Sequence, residues 1–165
     1  MLHLSSSIVP SIRDIGTSFK RLKVLWISRC GLKDLGGLVA FEKLEELYAS
    51  FNHVDDLYDL TYLNSLKILD LEGNDVSDLE QLEHLSSSAD ELISINFLDN
   101  PIAKKGRSYY EKVLSTIECF GKSKLNYLDD ELVDEVKERL SKGDYEEIKN
   151  DKDEEAIDEE RRAME

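Results

Sequence analysis

The residues of this chain whose types could do chemistry are three histidines, two cysteines distant in sequence, and a dense set of carboxylates. His3, His53 and His84 lack the close paired spacing that brings two imidazoles onto one metal, so they read as isolated polar positions and no cofactor is expected. The cysteines form no C-x-x-C pair. Gly121, Lys122 and Ser123 match the end of a phosphate-binding loop, G-x-x-x-x-G-K-[ST], but Thr116 stands where the first glycine belongs. Carboxylate pairs crowd the C-terminal stretch. A general acid, however, needs a desolvated setting to raise its pKa, and a run such as Asp153 to Glu155 is a solvated face. No set of nucleophile, base and oxyanion donor can be assembled. The sequence reads as non-catalytic, and function is to be sought on a surface.

The elements that shape that surface are set by a repeat. Leu66 to Val76 reads LKILDLEGNDV, a frame L-x-x-L-x-L-x-x-N-x-V that follows neither a helical period nor plain strand alternation. The frame recurs 22 residues upstream at Leu44, Leu47, Ala49, Asn52 and Val54, and 22 before that at Leu22, Leu25, Ile27, Cys30 and Leu32. Downstream it returns after 26 residues at Leu92, Ile95, Phe97, Asn100 and Ile102. Apolar residues follow at spacings near three, as in Leu57, Leu60 and Leu63. Several copies of this consensus at a period between 20 and 29 are the leucine-rich-repeat signature. The x-L-x-L-x core is strand-like, with one side facing in and the other out. The later leucines suit short helical or extended segments that return the chain. Stacked coils make a right-handed α/β solenoid with a concave parallel sheet. Asn52, Asn74 and Asn100 would form a row at the bend, bonding backbone groups that no ladder reaches. Cys30 shares that row and is expected to be a buried structural thiol.

Residues 1–106 are assigned to the repeats. In the first coil Leu2, Leu4, Ser7 and Val9 fit only the second half of the frame, with Ile12, Ile15 and Phe19 as its return. The coil reads as incomplete, so the chain is expected to be a piece of a longer protein or to have its open edge covered by another molecule, and self-association through that coil is expected. Residues 107–129 read as a C-terminal helical cap, with Tyr110, Val113, Leu114 and Ile117 on one helix face. Residues 130–165 read as an acidic helical tail. It begins with an amphipathic helix bearing Leu132, Val133, Val136 and Leu140 and ending at Gly143, and Asp144 and Glu147 are spaced as a further capping box. From Asp129 onward 17 acidic and 7 basic residues give a net charge of −10, against −5 for the first 128 residues and −15 overall.

An overall charge of −15 argues against nucleic acid and anionic membrane surfaces as partners, because both reward clustered Lys and Arg. No stretch reads as a signal peptide or a membrane helix. With no Asn-x-Ser/Thr acceptor, the sequence points to a reducing, cytoplasmic setting.

The outward strand positions line up across coils. One column holds Val24, Glu46, Ile68 and Ser94. The next holds His3, Trp26, Tyr48, Asp70 and Asn96, and the third holds Ser5, Ser28, Ser50, Glu72 and Leu98. Arg29 and Phe51 stand one position beyond the third column. Rigid aromatics beside Arg dominate many protein interfaces. Trp26, Arg29, Tyr48, Phe51, Asp70, Glu72 and Asn96 are therefore the expected protein-binding set, with Asp70 and Glu72 selecting for basic groups. The alternative cover for the aromatics is the chain's own tail or cap.

The stretch from Ser11 to Gln81, above all the run LKVLWISRCGL, resembles a leucine-rich-repeat family linked to outer dynein arm assembly and intraflagellar transport. The 22-residue length is also similar to repeats in the regulatory subunit of type-one protein phosphatase and in axonemal dynein light chain one. The resemblance implies a non-enzymatic adaptor in the cytoplasm and the cilium or flagellum, with dynein arm or transport components as partners. A regulatory subunit that holds a phosphatase catalytic domain in its concave face is the other reading.

Overall fold

The computed structural model describes residues 1–16, 18–120 and 124–143, so Gly121 to Ser123 and the tail from Asp144, with its expected capping box, lie outside the described residues. Seven short strands form one sheet in chain order: β1 Leu2–His3, β2 Val24–Trp26, β3 Glu46–Tyr48, β4 Ile68–Asp70, β5 Ser94–Asn96, β6 Tyr127–Leu128 and β7 Glu131–Leu132. Pairing is parallel from β1 to β6 and antiparallel between β6 and β7. The register aligns Leu2, Leu25, Leu47, Leu69, Ile95 and Leu128. From Leu25 to Leu128 all of these are sealed from solvent. This is the inward column that the L-x-L alternation dictates, and its neighbours Trp26, Tyr48 and Asp70 consequently face outward.

The return segments are short 3-10 turns: Ile12–Ile15, Leu38–Ala40, Tyr58–Tyr62, Leu79–Ser88 and Ala103–Lys105. Coils of 22 residues leave room for only about one such turn. The 26-residue spacing is absorbed by the longest segment, Leu79–Ser88, which is entered through the Asp78 side chain accepting from the Glu80 N–H. Phe41, Leu63 and Leu85 close these coils from inside. Phe19, expected at the equivalent place in the first coil, is instead 43% exposed. It lies beside Leu2, Leu4, Ile8, Val9 and Ile15, and among the described residues β1 pairs with β2 alone.

The asparagine row forms as expected. Asn52 accepts from the Cys30 and Leu32 N–H groups and donates to the carbonyls of Ile27 and Ala49. Asn74 and Asn100 repeat the two carbonyl bonds one coil further each time and accept from the Val54 and Val76 N–H groups. Cys30 is buried, its thiol directed at the Leu4 carbonyl.

The cap helix α1 spans Arg107–Phe120. Tyr110, expected on its apolar face, is only half buried, and the fully sealed residue is Tyr109. A second helix, α2 Val133–Lys142, ends on Gly143 with φ 75° and seats Val133 and Val136 in the same core. The core therefore does not stop at the expected boundary of 129/130. The β6–β7 hairpin and α2 carry the closure of the solenoid on to Gly143.

Asp129, the last residue of the expected cap and the first of the acidic stretch by charge, is 3% exposed. Its Oδ1 accepts from the Phe97 N–H at 2.8 Å and the Tyr109 hydroxyl at 3.0 Å, tying α1 to the last coil, while Oδ2 has no partner among the described residues. Burial pushes this carboxyl up to about 6 against those two donors, and the charges of Asp130 and Glu131 add to the rise. A raised carboxyl stabilises the fold fully below its unfolded value of about 4, and the contribution is lost as pH climbs through about 6. Asp129→Asn keeps the acceptor and removes the charge. It is expected to raise stability at pH 7 by up to about 3 kcal/mol relative to its effect at pH 4. Urea midpoints of both proteins at the two pH values check this, and an equal change at both would contradict it.

Candidate functional site

The concave sheet brings the expected side chains together by register alone. Trp26 and Tyr48 occupy paired positions on β2 and β3, and strand spacing would set them about 5 Å apart. Their rings lean into contact, with centroids 3.8 Å apart and planes within 12°. His3 extends the stack on the β1 side, 5.8 Å from Trp26. His53 sits apart, beside Asp75, and His84 packs edge-on to Tyr58 on another segment. Both stacked rings are half buried, and the cap helices do not cover them. The Tyr48 hydroxyl donates to Glu46 at 3.0 Å; burial, and then this bond, push the phenol up to about 12, so it stays a donor.

On the next strand the column turns acidic. Asp70 is half buried and accepts from the Glu72 N–H at 3.1 Å. Burial raises its carboxyl, opposed by the Glu72 N–H and the Ser50 hydroxyl, and the charge of Asp130 raises it further. Glu72 is raised by burial and by the charges of Asp70, Asp99 and Asp130, with Arg29 pulling the other way. The serine column serves the scaffold: Ser50 donates to Ser28, and Ser28 to the Tyr48 carbonyl. Asn96 continues the column but is only 9% exposed, its Oδ1 taken by the Leu98 N–H. The chain of Asp129 runs alongside it, donating to the Ile95 carbonyl and accepting from Phe97.

Beyond the columns runs a row of left-handed residues, Ser6, Arg29, Phe51, Gly73 and Asp99, with φ between 55° and 63°. These are the bends just before the asparagine row. The backbone there aims Arg29 and Phe51 along the sheet edge, with the Arg29 guanidinium 4.2 Å from the Phe51 ring centre. The Phe51 ring in turn lies against Gly73, where a Cβ would come within 2.6 Å of it. Gly73 thus supplies both the positive φ and the seat for the ring.

A charge ladder just outside the strands was missed in the sequence. Lys23, Glu45 and Lys67 recur at the 22-residue period, and both lysines bond Glu45, at 2.5 and 2.7 Å, holding its carboxyl down at about 2. Reading that outward position across the coils would have found it.

Among known proteins, 40 residues of the chain are 52% identical to Leucine-rich repeat-containing protein 56 of Rattus norvegicus, and equally to that of Mus musculus. The human protein of that name is 51% identical over 39 residues. Each match takes in 24% of this chain, which spans only 7% of the length of these relatives. No family model matches. Of solved structures, the Drosophila melanogaster SNF/U2A′ complex is similar with a TM-score of 0.66 at 20% identity, covering 96% of this chain and 86% of that one. An internalin, inlF, of Listeria monocytogenes gives a TM-score of 0.53 at 26% identity, covering 68% of this chain and 29% of that one. Repeat frame, sheet register and structural likeness agree, and the chain has the leucine-rich-repeat solenoid fold.

Proposed function

We propose that the chain is a non-catalytic adaptor that docks a protein partner on its concave sheet and serves the assembly or transport of axonemal dynein arms in cilia or flagella. The observation that carries the docking face is the stacked Trp26–Tyr48 pair, half exposed beside Arg29 and Phe51 on a rigid sheet. The dynein role rests on the resemblance of residues 11–81, and the 52% identity over 40 residues to Leucine-rich repeat-containing protein 56 supports a relative of that kind. No described helix is long and apolar enough to cross a membrane. Capture from flagellated cells with the full chain and with Trp26→Ala tests the reading. Trp26-dependent recovery of dynein heavy or intermediate chains is expected, whereas stoichiometric phosphatase without dynein would favour a phosphatase-regulating subunit.

We also propose self-association through the first coil, where Met1 and Ile8 are 87% and 94% exposed beside Phe19. Light scattering is expected to show mass rising with concentration, and a monomer at all concentrations would contradict it.

A further inference from the structure

We infer that the concave face recognises an arginine-bearing segment of the partner, a guanidinium stacking against the Tyr48 end of the aromatic column while the carboxylates of Asp70 and Glu72 take its N–H groups. This deepens the adaptor reading and rests on it.

The first ground is a group of acids that stand near one another on this face without a cation paired to them. Glu45, Glu80, Glu83, Glu91, Glu111, Glu118, Glu131 and Glu138 each have a Lys or Arg partner. Asp70, Glu72, Asp99 and Asp130 have no ion pair among the described residues, although the charge of Asp130 raises the proton affinity of Asp70, and those of Asp70, Asp99 and Asp130 raise that of Glu72. Like charges held near one another are relieved by an incoming cation.

The second ground is adjacency. Tyr48 and Asp70 are paired across β3 and β4, so the last ring of the stack and the first carboxylate are neighbours about 5 Å apart. A planar group can lie on the one and reach the other. The third ground is that the surface already holds such a contact of its own, Arg29 over Phe51, showing that the bend geometry admits a guanidinium at stacking distance. Arginine fits better than lysine because its planar, weakly hydrated head stacks and forks at once, whereas an ammonium is a compact, strongly hydrated point charge. A net charge of −15 disfavours nucleic acid or an anionic membrane as the occupant.

Trp26 is the one tryptophan of the chain and stacks on Tyr48, so its fluorescence reports on this face and not on the acidic tail. The full chain is titrated at low salt with the peptide acetyl-(Ala-Arg)4-amide and with its lysine and citrulline counterparts. A saturable change is expected with the arginine peptide, at least about 10-fold weaker with lysine and absent with citrulline. In the Asp70→Asn/Glu72→Gln variant, whose unaltered thermal midpoint and emission spectrum would show an intact fold, the arginine response is expected to fall about 10-fold or more. Equal response to arginine and lysine, an undiminished response in the variant, or no saturable response overturns the inference. Trp26-dependent capture of a protein partner, with any of these results, would leave the adaptor reading standing and remove only this one.

Discussion

Asn52→Ala is expected to lower the unfolding free energy by about 3 to 5 kcal/mol, more than most truncations of one polar side chain. The amide is 4% exposed and bonds five backbone groups from two coils: the N–H groups of Cys30 and Leu32 at 3.0 Å, the carbonyls of Ile27 and Ala49 at 3.0 and 2.8 Å, and, more distantly, the Ser50 carbonyl at 3.4 Å, which also accepts from the Arg29 N–H. Alanine leaves both donors and the Ile27 carbonyl sealed from water, and each such group costs about 1 to 3 kcal/mol. The Ala49 carbonyl is spared, because Asn74 also donates to it at 3.0 Å. Asn52→Asp separates polarity from chemistry: it keeps the acceptor, loses the donor and adds a buried charge, so it should be no better than alanine. Urea unfolding of the three proteins checks this, and an alanine variant within about 1 kcal/mol of the parent would contradict the role given to the row.

Trp26→Ala and Leu25→Ala, adjacent in sequence, are expected to fail in opposite ways. Leu25 is fully sealed at the centre of the register, and its truncation leaves a cavity worth about 2 to 5 kcal/mol of stability, while binding per folded molecule stays unchanged. Trp26 faces outward and leaves no core cavity. Its loss should weaken partner binding by about 2 kcal/mol or more, roughly 30-fold, with little change in the unfolding midpoint. The stack with Tyr48 at 3.8 Å makes the effect larger than that of a lone surface aromatic, because removing one ring also frees the other to reorient. Unfolding by Trp26→Ala with normal binding of the folded fraction would mean that the strand faces are reversed.

The strands, their register and the face each side chain takes were legible because a period-two alternation inside a 22-residue repeat admits one inward set, and Leu25, Leu47 and Leu69 are that set. The asparagine row was legible for the same reason. The cap was less so. Periodicity placed a helix at Arg107 but picked Tyr110 over Tyr109, since a helix face one residue wide of the mark scores almost equally, and only the partner Asp129 decides between them. Asp129 itself carried no signal, standing at the head of an acidic run with Asp130 and Glu131, and what distinguishes it is the strand edge it meets. The Arg29–Phe51–Gly73 stack was half visible. The aromatic and the arginine stood out by type, but the left-handed bend that lays one on another is a property of the folded coil.

The docking face is tested most directly by hydroxyl-radical footprinting of the full chain with and without the partner it captures. The concave set Trp26, Tyr48 and Phe51 and the convex set Val39, Tyr58 and Tyr62 all keep exposed surface in the free chain, so each can report. Protection of Trp26, Tyr48 and Phe51 with Val39, Tyr58 and Tyr62 unchanged is the expected result. Protection of the convex set with the concave aromatics still fully reactive would contradict it.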